Sequence, residues 1–327
     1  MFRNGTINQQ GRLPVIVAPM FIVSGPELVI ASCKAGLVGT FPTQNARTLE
    51  ELRQWLDTIR DDLALHREPG LAPGGWGVSM IVHPTYERFP QELEMMAQYK
   101  PDLVITALGS PKRVLETVHG YGGSVFADVM SVEHAKKAAD AGADGLVLVC
   151  SGAGGHTGAY NPFAFVGEVR RFFKGTIILG GAISDGRGIR AAQVLGADGI
   201  YMGTRFIACP ESRANEDYRG MMLRAQMDGV VATRAVTGVL CSWLKESLTL
   251  SGYDETRIAA QGKIDFSDVH GGNKPWKNIY GAGQGVGFVD RAATVQEVSD
   301  QLYAEYCTAL GEETRFADTF HSRAVTK

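Results

Sequence analysis

The sequence has no long apolar run, no basic excess and no paired cysteines, and each absence removes a class of protein. No uninterrupted apolar stretch approaches the roughly 20 residues that span a bilayer. The polar start, Met1 to Leu13, carries no basic-then-apolar signal region. The expectation is a cytoplasmic protein with no membrane partner. Lys and Arg number 32 against 35 Asp and Glu, a formal net charge of −3, so no cationic surplus is available to hold nucleic acid. The five cysteines (Cys33, Cys150, Cys209, Cys241 and Cys307) lie far apart without C-x-x-C spacing. They suggest neither a metal site nor a disulfide framework, and read as reduced, mostly buried thiols. No G-x-G-x-x-G follows a first strand, so no separate dinucleotide-binding domain is indicated. The 40 glycines form no low-complexity tract but stand singly or in pairs at the ends of apolar runs.

What is present is a repeat of strand and helix. At 327 residues the chain fits one large α/β barrel or two ordinary domains. Eight apolar, β-branched runs alternate with amphipathic stretches: 15–20, 37–42, 76–82, 103–108, 124–130, 145–150, 176–181 and 199–206. Helix starts are marked by Thr48 with Glu51, Ser110 with Pro111, and Asn161 with Pro162. Two helix ends nearly repeat, Ala141-Gly142-Ala143-Asp144-Gly145 and Leu195-Gly196-Ala197-Asp198-Gly199, as two equivalent joints in one barrel would. A doubly wound sheet is the rival, but eight regular units with no linker favour closure into a (β/α)8 TIM barrel. We expect a single domain over residues 1–327. Its insertion, 207–280, follows strand eight and covers the barrel mouth. That insertion reads as helical over Asn215 to Met227 and Val236 to Ser247, then polar through Gly271 to Pro275. The last outer helix is expected over Thr294 to Leu310, with Val295, Val298, Leu302 and Tyr306 on one face.

Barrel enzymes carry their chemistry at the C-terminal ends of the strands. After the seventh run stands Gly180-Gly181-Ala182-Ile183-Ser184-Asp185-Gly186-Arg187-Gly188, and the eighth contains Met202-Gly203-Thr204-Arg205. Glycine lets backbone N–H groups approach an anion, and a helix N-terminus adds a positive dipole end. The pair therefore reads as a phosphate cradle, although tight turns alone would also use glycine. The ligand could be a flavin, a nucleotide or a sugar phosphate. After the sixth run, Ser151-Gly152-Ala153-Gly154-Gly155-His156-Thr157-Gly158 holds one imidazole among four glycines. His156 suits a general base or an oxyanion partner; the bland alternative is a loop histidine bonded to its own turn. Ala18, Pro19 and Met20, ending the first run, could wall a planar ring. His83 ends the third run, whereas His66, His119, His134, His270 and His321 read as solvated, and Trp76, Trp243 and Trp276 as packing.

In combination these motifs resemble the nitronate monooxygenase (2-nitropropane dioxygenase) family over nearly all of residues 13–310. FMN-dependent enoyl-ACP reductases and NAD(P)H:quinone reductases share much of the pattern. The resemblance implies FMN across the barrel mouth, its phosphate around Gly180, Gly181, Gly203 and Thr204 and its ring near Ala18, Pro19, Met20, Gly154 and Gly155. His156 falls on the family's catalytic histidine. Where relatives often present Asn on strand three and Lys or Gln on strand five, this chain has Ser79 and Asp128. An ionised Asp128 would oppose a reduced, anionic flavin unless it is paired or protonated. The implied reaction is oxidation of an alkyl nitronate by O2 to a carbonyl compound and nitrite. The alternatives are an NAD(P)H-dependent reductase of a quinone or enoyl thioester, and a flavin-binding regulatory barrel without turnover. Expected partners are a small-molecule substrate and O2, with NAD(P)H and a homodimer left open.

Overall fold

Period-two alternation along each apolar run decides which side chains fill a barrel and which meet its helices. The computed structural model describes residues 13–65, 75–259 and 278–325, with side chains to residue 315. The runs form parallel strands β1 (Val15–Val17), β2 (Val38–Pro42), β3 (Trp76–Ile81), β4 (Leu103–Ala107), β5 (Ser124–Val129) and β6 (Gly145–Val149). A two-residue strand β7 (Gly155–His156) lies outside the barrel, which continues through β8 (Thr176–Gly180) and β9 (Gly199–Met202). Val15 to Val17 pair with Ile200 to Met202 and close the ring. The expected (β/α)8 barrel is the observed one.

Ile16, Val38, Leu103, Ile105, Phe126, Val147 and Ile178 make one interior cluster. Their neighbours Val15, Val17, Leu146, Leu148, Ile177 and Leu179 pack outward with Phe165, Ile189, Val298 and Leu302 of the helical ring. Each such burial contributes about 1.5–3 kcal/mol. The two Gly-Ala-Asp joints are equivalent in detail. Asp144 Oδ2 accepts from Val125 N at 2.8 Å, and Asp198 Oδ2 accepts from Ile177 N at 2.7 Å. Asp102 does the same for Trp76 N at 3.1 Å without the surrounding motif. Each carboxylate satisfies an N–H at the start of the preceding strand.

Ser131 and Asn161 cap their helices by accepting from His134 N and Phe163 N. Ser110 sits one residue further out than expected, because that helix begins at Lys112 with Pro111 at its cap. The C-terminal helix, Val295–Val325, starts with a reciprocal Thr294–Glu297 capping box and extends past the expected end at Leu310.

The insertion departs from its reading. Its first helix, Glu216–Arg224, is present, but Val236 to Ser247 is not one helix. Strands β10 (Val230–Thr233) and β11 (Cys241–Leu244) pair antiparallel, and only Lys245–Leu250 is helical. β11 also pairs with β7, Cys241 opposite His156. The helical spacing of apolar residues was misleading because β11 is buried on both faces, with all four residues inaccessible. Gly271 to Pro275 lie outside the described residues. No helix among the described residues is long and apolar enough to cross a membrane.

Candidate functional site

At the C-terminal mouth, the upper inward positions carry small residues: Ala18 after β1, Ala107 ending β4, Gly180 ending β8 and Gly203 after β9. Their small side chains leave a cavity of about 1300 Å³, larger than the 300–1,000 Å³ typical of a small-ligand pocket. Every residue singled out for the site lines it. Ala18, Pro19, Met20 and Ser79 come from β1 and β3; Asp128 from β5; Gly154, Gly155 and His156 from the loop after β6; Gly180, Gly181, Gly203 and Thr204 from β8 and β9.

Three glycine-bearing loops are joined to one another here. The return segment after the insertion donates from Gln284 N to Gly152 O and from Gly283 N to Thr204 Oγ1, both at 2.9 Å. A Cβ on Gly154 would lie 2.8 Å from Gly283 N, so that glycine is required by loop packing. Gly155, at φ +63°, would project a Cβ into open space. At Gly181, φ is +127° and a Cβ would lie 2.9 Å from Ser151 O. The helix Gly186–Leu195 gives two of its first N–H groups to protein carboxylates, Gly188 N to Asp185 Oδ1 and Gly186 N to Glu305 Oε2. The short helix Thr204–Phe206, with Gly203 at its cap, starts in the cavity wall.

His156 is placed by β7 against β11, part of a three-stranded patch beside the barrel. One flank is exposed to the cavity, yet the surrounding protein desolvates the ring and pushes its pKa below the ordinary imidazole value. It is a neutral base at neutral pH. Asp128, facing inward from β5, is raised to about 7 by burial, and its Oδ1 has no hydrogen-bond partner among the described residues. Its charge is therefore only about half present at neutral pH and is lost by protonation below that.

Other side chains enter the cavity unannounced. Among the described residues, the buried hydroxyl of Tyr201 on β9 and the buried Oε1 of Gln44 have no hydrogen-bond partner. Tyr201 could have been found by phase, since inward-facing Ile16 and Ile178 set the alternation and Gly199, Tyr201 and Gly203 share it. Arg47, Arg213 and Arg257 stand at the rim, and no carboxylate among the described residues forms an ion pair with them. Ile22, Leu108 and Ala182 hold positive φ at the mouth. Asn45 secures the Ile22 turn, accepting from Ile22 N and donating to Met20 O and Ser24 O. No local motif announced that role.

The remaining candidates fall away. His83 bonds Thr85 Oγ1 at 2.7 Å and is not in the cavity wall. His119, read as solvated, is instead bonded to Asp144 at 2.8 Å. His134 is exposed and Trp243 fully buried; His66, His270, Trp276 and the His321 side chain lie outside the described residues. Among the described residues no group of three His, Cys, Asp or Glu could hold a metal ion.

A planar ligand with polar edges and a phosphate fits these walls. Unpartnered Asp128, Tyr201 and Gln44 atoms await polar edges, Ala18 to Met20 offer an apolar face, and glycine turns offer backbone to an anion. The nitronate monooxygenase family profile matches residues 76–305. The chain is 28% identical over 277 residues to a nitronate monooxygenase of Paraburkholderia phytofirmans, covering 74% of this chain and 76% of that one. It is 28% identical over 229 residues to a (3aS,4S,5R,7aS)-5-hydroxy-7a-methyl-1-oxo-octahydro-1H-indene-4-carboxyl-CoA dehydrogenase of Mycobacterium tuberculosis, covering 69% and 61%. Its fold superimposes on a nitroalkane oxidase from Streptomyces ansochromogenes with a TM-score of 0.78 at 21% identity, over 93% of this chain and 98% of that one.

Proposed function

The chain belongs to the nitronate monooxygenase family, enzymes whose oxidation of nitronates is flavin-dependent, and from that premise we propose that it uses FMN and O2 to convert alkyl nitronates to a carbonyl compound and nitrite. The observation that carries this reading is a single cavity lined by a neutral imidazole, His156, and by the glycine turns of β8 and β9. In this reading Gly180, Gly181, Gly203 and Thr204 hold the phosphate. Ala18, Pro19, Met20, Gly154 and Gly155 would flank the ring, with Ser79 and Asp128 in the same cavity wall. FMN, when bound, supplies the electron acceptor.

The protein supplies orientation and proton handling. A neutral nitroalkane must first lose its α-proton; His156 takes that proton, and its N–H then donates to a nitronate oxygen. A preformed nitronate needs only the second role. The described part of the insertion, 207–259 and 278–280, acts in this reading as the lid of a single domain: Tyr218, Val236, Tyr253 and Tyr280 form part of the cavity wall.

A second reading is favoured by one observation. The rim arginines Arg47, Arg213 and Arg257 suit a phosphorylated ligand, NAD(P)H or a CoA thioester, and one relative is named as a carboxyl-CoA dehydrogenase. Anaerobic mixing separates the two. Flavin reduction by a nitronate and not by NADH or NADPH is the expected result; reduction by NAD(P)H alone would replace the first reading with the second.

A further inference from the structure

The upper layer of the barrel interior is mostly small or apolar, with Ala18, Ile81, Ala107, Val149 and Gly180 in the cavity wall. Asp128 and Tyr201 break that pattern. Both occupy inward positions, one on β5 and one on β9: Asp128 stands opposite Val147, and Tyr201 opposite Gly180. Val147 and Tyr201 both pack in the interior cluster. Each buries an oxygen, Asp128 Oδ1 and Tyr201 Oη, with no hydrogen-bond partner among the described residues. Leaving such groups unpaired carries a desolvation penalty, which a ligand that satisfies them relieves.

We propose that Asp128 and Tyr201 form a two-hydroxyl floor beneath the bound cofactor, in which Tyr201 donates at every pH and Asp128 donates only while protonated, so that the floor tunes how easily the ring accepts electrons. The proposal rests on the FMN reading above. Its chemistry follows from charge. Flavin reduction adds electron density to the ring, which O–H donors stabilise and a carboxylate opposes. Tyr201 is held well above the ordinary phenol range by burial and by the charge of Asp128, so it stays a donor. Asp128 is raised to about 7 by burial and is thus the member that switches. The other titratable groups facing the cavity are His156 from β7, Tyr218, Tyr253 and Tyr280 from the insertion, and the rim arginines Arg47, Arg213 and Arg257. Among these His156 lies below the ordinary imidazole range, and Tyr218 is pushed above that of phenol.

The test is the reduction potential of the FMN-loaded protein from pH 5.5 to 8.5, for wild type, Asp128→Asn and Tyr201→Phe. Asp128→Asn keeps a donor and cannot titrate. Wild type should run parallel to it below about pH 7 and then fall away, the reduction equilibrium diverging by about tenfold per pH unit as reduction takes up one more proton. Tyr201→Phe should keep that break but have a lower potential at every pH. A second readout uses the protein without FMN: the infrared difference between wild type and Asp128→Asn should show a protonated carboxyl band that disappears as pH rises through about 7. Parallel potentials for wild type and Asp128→Asn in protein that does bind FMN would overturn the proposal and leave the FMN reading intact. Failure to bind FMN at all would overturn the FMN reading, and with it the ring's part in the proposal.

Discussion

His156 and Asp128 are both titratable residues of the cavity wall whose burial shifts them in opposite chemical directions: the imidazole becomes a readily neutral base and the carboxyl a weaker acid. His156→Asn should retain FMN, since the proposed phosphate contacts lie on β8 and β9. Turnover of a neutral nitroalkane should fall by about 10² to 10⁴-fold, with far less effect on a preformed nitronate. Equal loss with both substrates would make His156 an orienting group rather than a base. In the wild type, the acid limb of kcat/KM for the nitroalkane should lie below the usual imidazole range. Asp128 also has a consequence for folding. Its folded pKa, about 7, exceeds the unfolded value of about 3.9, so the native state binds more protons between the two. Stability is therefore greatest below the lower value and declines as pH rises to about 7. In FMN-free protein, denaturant unfolding should show wild type losing stability relative to Asp128→Asn over that window. His156 was legible because four glycines surround it in sequence; Tyr201 has only its strand phase to mark it, and its importance depends on Asp128, which closure of the barrel brings near.

At the scale of elements, two structural devices recur. The first is the aspartate that opens a strand and accepts from the N–H at the start of the preceding one. Asp198→Ala removes the bond to Ile177 N and the ion pair with Arg170. It should cost about 1–3 kcal/mol in chemical denaturation, mostly from the unpaired strand N–H. Two of these joints were visible as a near-repeat of Gly-Ala-Asp-Gly; the third, Asp102, was hidden because Pro101 precedes it. The second device is the contact of three glycine loops. Gly154→Ala forces a Cβ to within 2.8 Å of Gly283 N, backbone that cannot swing aside as a side chain can. FMN affinity should fall although the substituted position carries no proposed phosphate contact, and titration with FMN measures it. The segment Val236 to Ser247 reads as helix but holds a strand, because β11 is buried on both faces and its partner β7 lies more than eighty residues earlier in the chain.

For the whole molecule, a ligand that binds only the folded barrel must stabilise it: FMN at 100 times its Kd should add about 2.7 kcal/mol. The expected outcome is a rise in Tm for wild type with added FMN, and chromatography of the cofactor released on denaturation should identify FMN rather than FAD. Gly203→Asp should abolish the rise while circular dichroism still reports the barrel. The nearest atoms to a Cβ there belong to the side chains of Met20 and Ala18, at 3.2–3.4 Å. Gly181→Asp is a less clean probe, because φ of +127° and Ser151 O at 2.9 Å would strain the backbone as well. Unchanged FMN affinity in Gly203→Asp would move the phosphate elsewhere. The sequence by itself determined the eight strands, their order and the loops that bear chemistry, because period-two burial, helix caps and glycine turns are local rules. Only the tertiary structure decided that the helix after β8 gives two of its first N–H groups to Asp185 and Glu305, that β11 holds His156, and that Asp128 and Tyr201 share one floor. Those outcomes depend on closure of the ring, which brings residues dozens of positions apart into one desolvated space.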